Sequence, residues 1–232
     1  MNDRTLRRLT GVCGTLTGAL ALVVVPLYFI YSGPPPAWDV LTRTLLSIPM
    51  LVALLMFFTG ARHLIRAASN GNDTIATLIY GAGLTYVAVT LVSESLEAGV
   101  PLYTPNGALD PTIDGPLAAG MVLIHGPIAR VLMAIALIGI GYAVSRTRML
   151  SRWVTVTGYL LAALNLAFLP SLYFGMNPAH FYAANGWGST ASISSVFFYW
   201  VAAVGIAILR RRDPLEPTAS RATAGDGVLV ST

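Results

Sequence analysis

The sequence contains no lysine, because all 14 of its basic residues are arginine. A Schiff base to retinal or pyridoxal phosphate and a Walker-type phosphate loop both need a lysine, so these classes are excluded. Cys13 is the only cysteine, which excludes an intramolecular disulfide and Cys-x-x-Cys redox chemistry. Three histidines at different predicted depths argue against a bis-histidine haem or a His-rich metal centre. We therefore expect neither a cofactor nor a metal ion.

Charge is also scarce, at 10% of residues, whereas 55% are hydrophobic and the mean hydropathy is +0.70. A soluble domain carries about a quarter charged residues, so this surface is expected to face lipid. A net charge of +4 could suggest nucleic acid. Here, however, the arginines lie at the ends of apolar segments, where they meet anionic headgroups. The expected surroundings are a lipid bilayer, and no nucleic-acid partner is predicted.

The arginines alternate with pairs of long apolar segments. Twelve of the 14 fall in four clusters: Arg4, Arg7 and Arg8; Arg62 and Arg66; Arg146, Arg148 and Arg152; Arg210, Arg211, Arg212 and Arg221. The positive-inside rule places every cluster in the cytoplasm, which counts six membrane crossings with both termini inside. Arg43 then lies near the outer surface and Arg130 lies within the membrane.

Six apolar runs are each long enough to cross a hydrocarbon core of about 30 Å. They cover about residues 9–31, 40–60, 74–97, 117–144, 153–174 and 192–209. The first run is too long for a signal peptide and no small-residue cleavage site follows it, so we predict a retained helix. The fold class is therefore an all-α, polytopic bundle of six transmembrane helices over residues 1–212. Residues 213–232 are rich in Pro, Ser, Thr and Ala and predict a disordered cytoplasmic tail.

Charged residues inside a membrane are costly, at least about 2.5 kcal/mol for an arginine at the helix centre. Arg130 lies near the middle of the fourth span, five residues after His125. Five residues turn a helix by about 140°, so these two side chains reach one cavity only if Pro127 bends the span. In the third span Thr90, Glu94 and Glu97 are spaced i, i+4, i+7, which predicts one polar stripe.

Six residues of the outer half thus form a candidate polar cluster: Arg43, Thr90, Glu94, Glu97, His125 and Arg130. One interpretation is purely structural, with Glu94 and Glu97 neutralising Arg130 and Arg43 and locking the bundle. A second is a ligand or substrate site. In a third, Glu97 and Arg43 simply reach the headgroups.

Other polar or small residues are weaker candidates. Gly14 and Gly18 form a G-x-x-x-G pair in the first span and predict a close helix contact. Asn165 and the serines at 192, 194 and 195 are typical of interhelical hydrogen bonds. Asp110 and Asp114 lie four apart in a loop, a common arrangement that is weak evidence for a cation site. Together these features contain no recognised catalytic signature.

Two segments, Ser93–Pro101 (SESLEAGVP) and the turn Ser145–Trp153 (SRTRMLSRW), carry a family resemblance. The chain resembles an uncharacterised family of six-span bacterial membrane proteins over most of its membrane region. In that family the turn often has proline before its last arginine, where this chain has Ser151. The resemblance implies the topology, and it implies no activity and no catalytic residues.

The leading functional hypothesis is non-enzymatic: binding or transport of a small molecule or lipid through an outward-facing cavity near Arg130 and Glu94. One alternative is a membrane-embedded enzyme acting on a lipid or isoprenoid, with Glu94 or Glu97 as proton donor and His125 or Arg130 stabilising charge. Another is a packing or regulatory subunit that uses the G-x-x-x-G face. The expected location is the bacterial cytoplasmic membrane. The sequence leaves open the ligand, the oligomeric state, including a homo-oligomer, and whether the Arg130 region is a pocket or an ion-pair network.

Overall fold

The computed structural model describes residues 3–31, 33–68, 71, 73–104 and 109–211, and within these ranges all regular structure is helical. Six helical segments are long and apolar enough to cross a membrane, as predicted. The predicted tail at 213–232 lies outside the described residues, as do Arg212 and Arg221.

Seven α-helices and three shorter helical turns make up these six segments. The α-helices are α1 (Asp3–Leu27), α2 (Ala37–Ala68), α3 (Asp73–Tyr103), α4 (Gly115–Leu123), α5 (Arg130–Thr147), α6 (Arg152–Ala167) and α7 (Ile193–Arg210). A π-helical turn, Ile124–Ile128, joins α4 to α5 in the fourth segment. A 3-10 turn, Leu169–Phe174, extends α6, and a π-helical turn, Gly188–Ser192, precedes α7.

The second and third helices are longer than their apolar cores. α2 has 32 residues and α3 has 31, so each is about 47 Å long and exceeds a hydrocarbon core of about 30 Å. Hydropathy marks only the lipid-facing part of such a helix, which explains why the predicted spans 40–60 and 74–97 end early. The polar turns that carry Arg62 and Arg66 remain helical.

The fourth segment is interrupted at Gly126, whose backbone (φ −85°, ψ −110°) leaves the helical region. Pro127 follows directly and supplies no N–H to the helix, while its ring crowds the carbonyl four residues earlier. The helix starts again at Arg130. Pro170 similarly falls just after α6 ends at Ala167, whereas Pro49 lies within an α2 that is helical throughout.

Helix packing follows the order α7, α1, α2, α3, α5, α6 around the bundle. Aromatic side chains fill the centre: Phe57 and Phe58 of α2, Tyr86 of α3 and Phe197 of α7 are almost fully buried. Tyr86 and Phe197 meet edge to face, with ring centroids 5.9 Å apart. This contact ties α3 to α7 across the bundle.

The G-x-x-x-G pair of α1 packs inside the molecule. Gly14 lies against Val201 and Gly205 of α7, and Gly18 lies against Ala202 and Phe198. Small residues on both helices let the two backbones approach closely. This face of α1 is therefore covered by α7 of the same chain.

The two ends of the bundle differ in charge. The described arginines other than Arg43 and Arg130 all lie at the end formed by the start of α1 and the end of α2, which we call the arginine end. Contacts of His63 with Asp3, of Arg66 with Asp73 and of Arg211 with Met149 hold this end together. The opposite end, which carries Asp39, Glu97 and Asp110, is called the carboxylate end.

Candidate functional site

A cavity of about 430 Å³ lies within the carboxylate end of the bundle. Side chains from α1, α2, α3, α4, the π-helical turn Ile124–Ile128 and α7 form its walls, and residues of the three loops at this end form its rim. Apolar walls come from Val24, Val25, Met50, Met121, Val122 and Phe198, and the polar wall residues are Ser47, Thr90, Glu94, Glu97, His125 and Ser194. The rim includes the exposed aromatic residues Phe29, Tyr31 and Trp187, so the cavity is open on the carboxylate end. It is called the polar cavity below.

Glu97 joins the wall of the polar cavity to a buried charge network. Arg43 Nη2 lies 3.0 Å from Glu97 Oε1, and Arg43 Nε lies 3.4 Å from Asp39 Oδ2 one helical turn earlier. The Tyr28 hydroxyl donates to Glu97 Oε2 at 3.1 Å, and the Arg43 guanidinium lies 4.0 Å from the centre of the Tyr28 ring. A single guanidinium therefore serves two buried carboxylates.

Glu94 lies one turn deeper on α3 and is only 6% exposed. Thr44 and Ser47 of α2 lie beside it. Its Oε2 atom has no hydrogen-bond partner among the described residues, and no described cation lies within 4.0 Å of the carboxylate. Glu94 is thus a buried acceptor that faces the polar cavity without a cation in direct contact.

His125 and Thr90 also line the polar cavity. His125 belongs to the π-helical turn and directly precedes Gly126, where the backbone leaves the helical region. The Thr90 hydroxyl is already used, because it donates to the Tyr86 carbonyl oxygen at 2.8 Å. His125 therefore adds a second titratable side chain to a wall that carries Glu94 and Glu97.

Arg130 stands apart from this wall. It is 1% exposed, and its Nη1 donates to Asn165 Oδ1 of α6 at 3.4 Å. The guanidinium also lies 5.9 Å from the centre of the Phe168 ring. No carboxylate of the described residues lies within 4.0 Å of it, so the structure shows no direct ion pair between Arg130 and Glu94, which was one of the three interpretations. His125 and Arg130 lie on either side of the break at Gly126 along the chain, and of the two only His125 lines the cavity.

Three further wall atoms are buried without a hydrogen-bond partner among the described residues. They are Ser47 Oγ of α2, Asn185 Oδ1 of the loop before α7 and Ser194 Oγ of α7. Asn185 is 8% exposed and Ser194 is 5% exposed. Buried polar groups normally have partners, and each unsatisfied one calls for an explanation. Together with Glu94 Oε2, these atoms give the cavity wall polar groups that a bound ligand could satisfy.

The six residues of the sequence-predicted cluster therefore divide into three groups. Thr90, Glu94, Glu97 and His125 line the polar cavity; Arg43 reaches it through Glu97; and Arg130 does not line it.

Other contributors escaped prediction for different reasons. The i, i+4 spacing of Asp39 and Arg43 could have identified that pair. In contrast, Tyr28 and Asn185 come from helix ends and loops, where periodicity carries no signal. Asn165 does make the interhelical hydrogen bond that the sequence predicts.

In the part of the chain that the structure describes, no group of three or more His, Cys, Asp or Glu side chains is arranged to hold a metal ion. No protein-family model, curated protein or solved structure matches the chain. The resemblance to the six-span family therefore stays a prediction, and the functional argument rests on the polar cavity itself.

Proposed function

We propose that the chain is a multi-pass protein of a bacterial cytoplasmic membrane, with both termini in the cytoplasm. The exposed surface supports membrane insertion. On α2, for example, Leu45, Ile48, Val52 and Met56 form an exposed apolar stripe, with Leu45 67% exposed. Such stripes are unfavourable in water and normal against lipid. The separation of the arginine end from the carboxylate end supports the orientation, because arginine-rich ends stay in the cytoplasm.

Within that membrane, the proposed function is to bind, and by extension to move, a small molecule or lipid through the polar cavity. The observation that carries this proposal is a set of buried polar atoms without hydrogen-bond partners among the described residues, on a wall that also carries apolar side chains. Ligand sites are typically cavities of about 300–1,000 Å³ with apolar walls and a few placed polar groups. The cavity's volume of about 430 Å³ falls within that range. Because the cavity opens at the carboxylate end, ligand would enter from outside.

A membrane-embedded enzyme acting on a lipid or isoprenoid is the second candidate. It is favoured by the shared position of Glu94 and His125 on the cavity wall. A carboxyl group and an imidazole facing one substrate could serve as acid and base. Arg130 has no part in this version, because it does not line the cavity.

A packing or regulatory subunit receives less support. In that hypothesis the G-x-x-x-G face of α1 contacts a partner protein. Gly14 and Gly18 instead lie against α7 of the same chain. Any partner would have to use another surface.

Cysteine accessibility tests whether the polar cavity opens outward. In a Cys13→Ala background, Ser194→Cys places a thiol on the cavity wall, and Thr17→Cys places one in the closed core, where Thr17 is buried. A membrane-impermeant maleimide added to intact cells should label position 194 and leave position 17 unlabelled. Ser145→Cys, which is exposed at the arginine end, should react only after permeabilisation. Labelling of position 145 and not 194 in intact cells would reject the proposed orientation.

Occupancy tests the binding function itself. Protein extracted in mild detergent is analysed by native mass spectrometry for retained small molecules or lipids. The wild-type protein should retain a bound molecule of defined mass. The Ser194→Trp variant should lose that molecule, because the indole ring of the new tryptophan fills the cavity. A mass that survives in Ser194→Trp is bound elsewhere, and absence of a retained mass in wild type contradicts a tightly binding site.

A further inference from the structure

The polar cavity has an excess of negative charge. The buried charged residues of the described chain comprise three carboxylates, Asp39, Glu94 and Glu97, and two guanidiniums, Arg43 and Arg130. Asp110, a fourth carboxylate, lies on the cavity rim. Of the residues that line the cavity, His125 is the only basic one within the described chain. An anionic ligand would add charge of the same sign.

The two buried arginines leave Glu94 without a cation in direct contact. Arg43 is held between Asp39 and Glu97 at 3.4 and 3.0 Å. Arg130 contacts Asn165 and the Phe168 ring instead. A buried charge in a low-dielectric setting is costly unless it is paired. A cation arriving with a ligand would supply the missing partner.

The unpartnered atoms of the cavity wall are mainly hydrogen-bond acceptors. Asn185 Oδ1 can only accept a hydrogen bond, and the same is true of Glu94 Oε2 while the carboxyl group is ionised. The hydroxyl groups of Ser47 and Ser194 can accept or donate. An ammonium group carries two or three N–H donors and no acceptor, which complements this set. A quaternary ammonium lacks N–H donors, so it would leave these acceptors unsatisfied.

The remaining walls define the rest of the ligand. Met50, Met121 and Phe198 provide apolar surface, and methionine side chains adapt to varied shapes. The aromatic rim at Phe29, Tyr31 and Trp187 can hold a cation over its ring faces as it enters.

We propose that the ligand of the polar cavity is an organic cation, namely a primary or secondary amine on an apolar body, whose ammonium group pairs with Glu94. This assignment rests on the proposed binding function, and it names the chemical class that the site selects. Ser47, Asn185 and Ser194 accept hydrogen bonds from the same ammonium group or from a neighbouring donor on the ligand.

Three probes with the same indole body test the assignment: tryptamine as cation, tryptophol as neutral alcohol and indole-3-propionate as anion. Binding to wild type in phosphatidylcholine nanodiscs is measured by calorimetry and by the shift in Tm. Tryptamine should bind at least tenfold more tightly than either of the other probes. Glu94→Gln removes the charge at nearly constant volume and should lower tryptamine affinity at least tenfold without changing that of tryptophol. Asp73→Asn, a charge change at the arginine end, should leave all three unchanged.

Tryptophol binding as tightly as tryptamine, or a Glu94→Gln variant that keeps tryptamine affinity, would overturn the cation assignment and leave a neutral-ligand site standing. Preference for indole-3-propionate would overturn it as well, as would failure of all three probes to bind. If Glu94→Gln does not fold, the relative affinities of the three probes for the wild-type protein still test the cation assignment. The proposed function is judged separately, by whether the cavity retains a native mass.

Discussion

At the scale of single residues, the buried arginines play unequal parts. Arg43 has two carboxylate partners and a tyrosine ring, whereas Arg130 has one long hydrogen bond and a distant ring. Removing one member of a satisfied buried ion pair leaves its partner charge uncompensated. Removing a buried charge that has few partners costs less, because the free-energy cost of burying that charge disappears at the same time.

We therefore expect Arg43→Met to destabilise the protein more than Arg130→Met does. The first change leaves Asp39 and Glu97 unpaired, which costs about 3–5 kcal/mol for a buried pair. The second change loses one hydrogen bond to Asn165, which costs about 1–3 kcal/mol. It also removes the cost of burying a charged guanidinium. Thermal unfolding in a common detergent measures both. A lower Tm for Arg130→Met than for Arg43→Met would show that Arg130 has a stronger partner than Asn165.

Double-mutant cycles distinguish the observed charge pairing from the pairing expected from sequence. Arg43→Gln with Glu97→Gln should show a coupling energy of about 1–3 kcal/mol, as residues in contact do. Arg130→Gln with Glu94→Gln should be additive within about 0.5 kcal/mol, because no direct bond joins them. Strong coupling in the second cycle, with additivity in the first, would restore the pairing of Glu94 with Arg130.

The sequence was informative about which residues are polar and buried, and less so about their partners. The i, i+4, i+7 spacing put Thr90, Glu94 and Glu97 on one stripe, and all three line the polar cavity. Partner choice depends on the rotation of one helix against another, and it also depends on the break at Gly126. Neither is encoded in the periodicity of a single span, so the sequence could not decide whether Glu94 or another residue contacts Arg130.

At the scale of helices, close packing at glycine explains how α1 is held. The face of α1 that carries Gly14 and Gly18 meets α7 at Val201, Ala202 and Gly205. The apolar runs and the arginine clusters predicted the six segments, and the G-x-x-x-G spacing predicted the position of the glycine contact. The partner helix was not predictable, since a G-x-x-x-G face fits another helix of the same chain as well as a separate protein.

Substitution at Gly18 should therefore destabilise the chain itself. An alanine methyl group at this position would overlap the Ala202 side chain, and overpacking of this kind costs about 1–3 kcal/mol. Gly99→Ala is the matched control, because no atom outside its local helix lies within 4 Å of the added methyl group. That control should be neutral or slightly stabilising, since alanine favours helix by up to about 1 kcal/mol. Equal Tm values for the two variants would argue against tight packing of α1 on α7.

At the scale of the whole molecule, charge asymmetry and the position of the polar cavity belong together. The arginines cluster at one end of the bundle, and the cavity opens at the opposite end. In the proposed orientation, cations in the outer medium meet the aromatic rim and the Asp110 carboxylate before they reach Glu94. Under that proposal, the same charge asymmetry would determine both the orientation of the chain and the side from which ligand enters.

The orientation predicts where reporters will be found. One reporter is fused after Thr232 and another is inserted next to Asn106, between the third and fourth segments. With an even number of crossings before the first and an odd number before the second, the two must lie in opposite compartments. Alkaline phosphatase should be active only at Asn106, and a green fluorescent reporter should fluoresce only after Thr232. Replacing the arginines at 146, 148 and 152 with serine should weaken this bias, because the positive-inside rule depends on such short loops. Phosphatase activity at Thr232 in the chain with its native arginines would reverse the proposed orientation. The polar cavity would then open toward the cytoplasm.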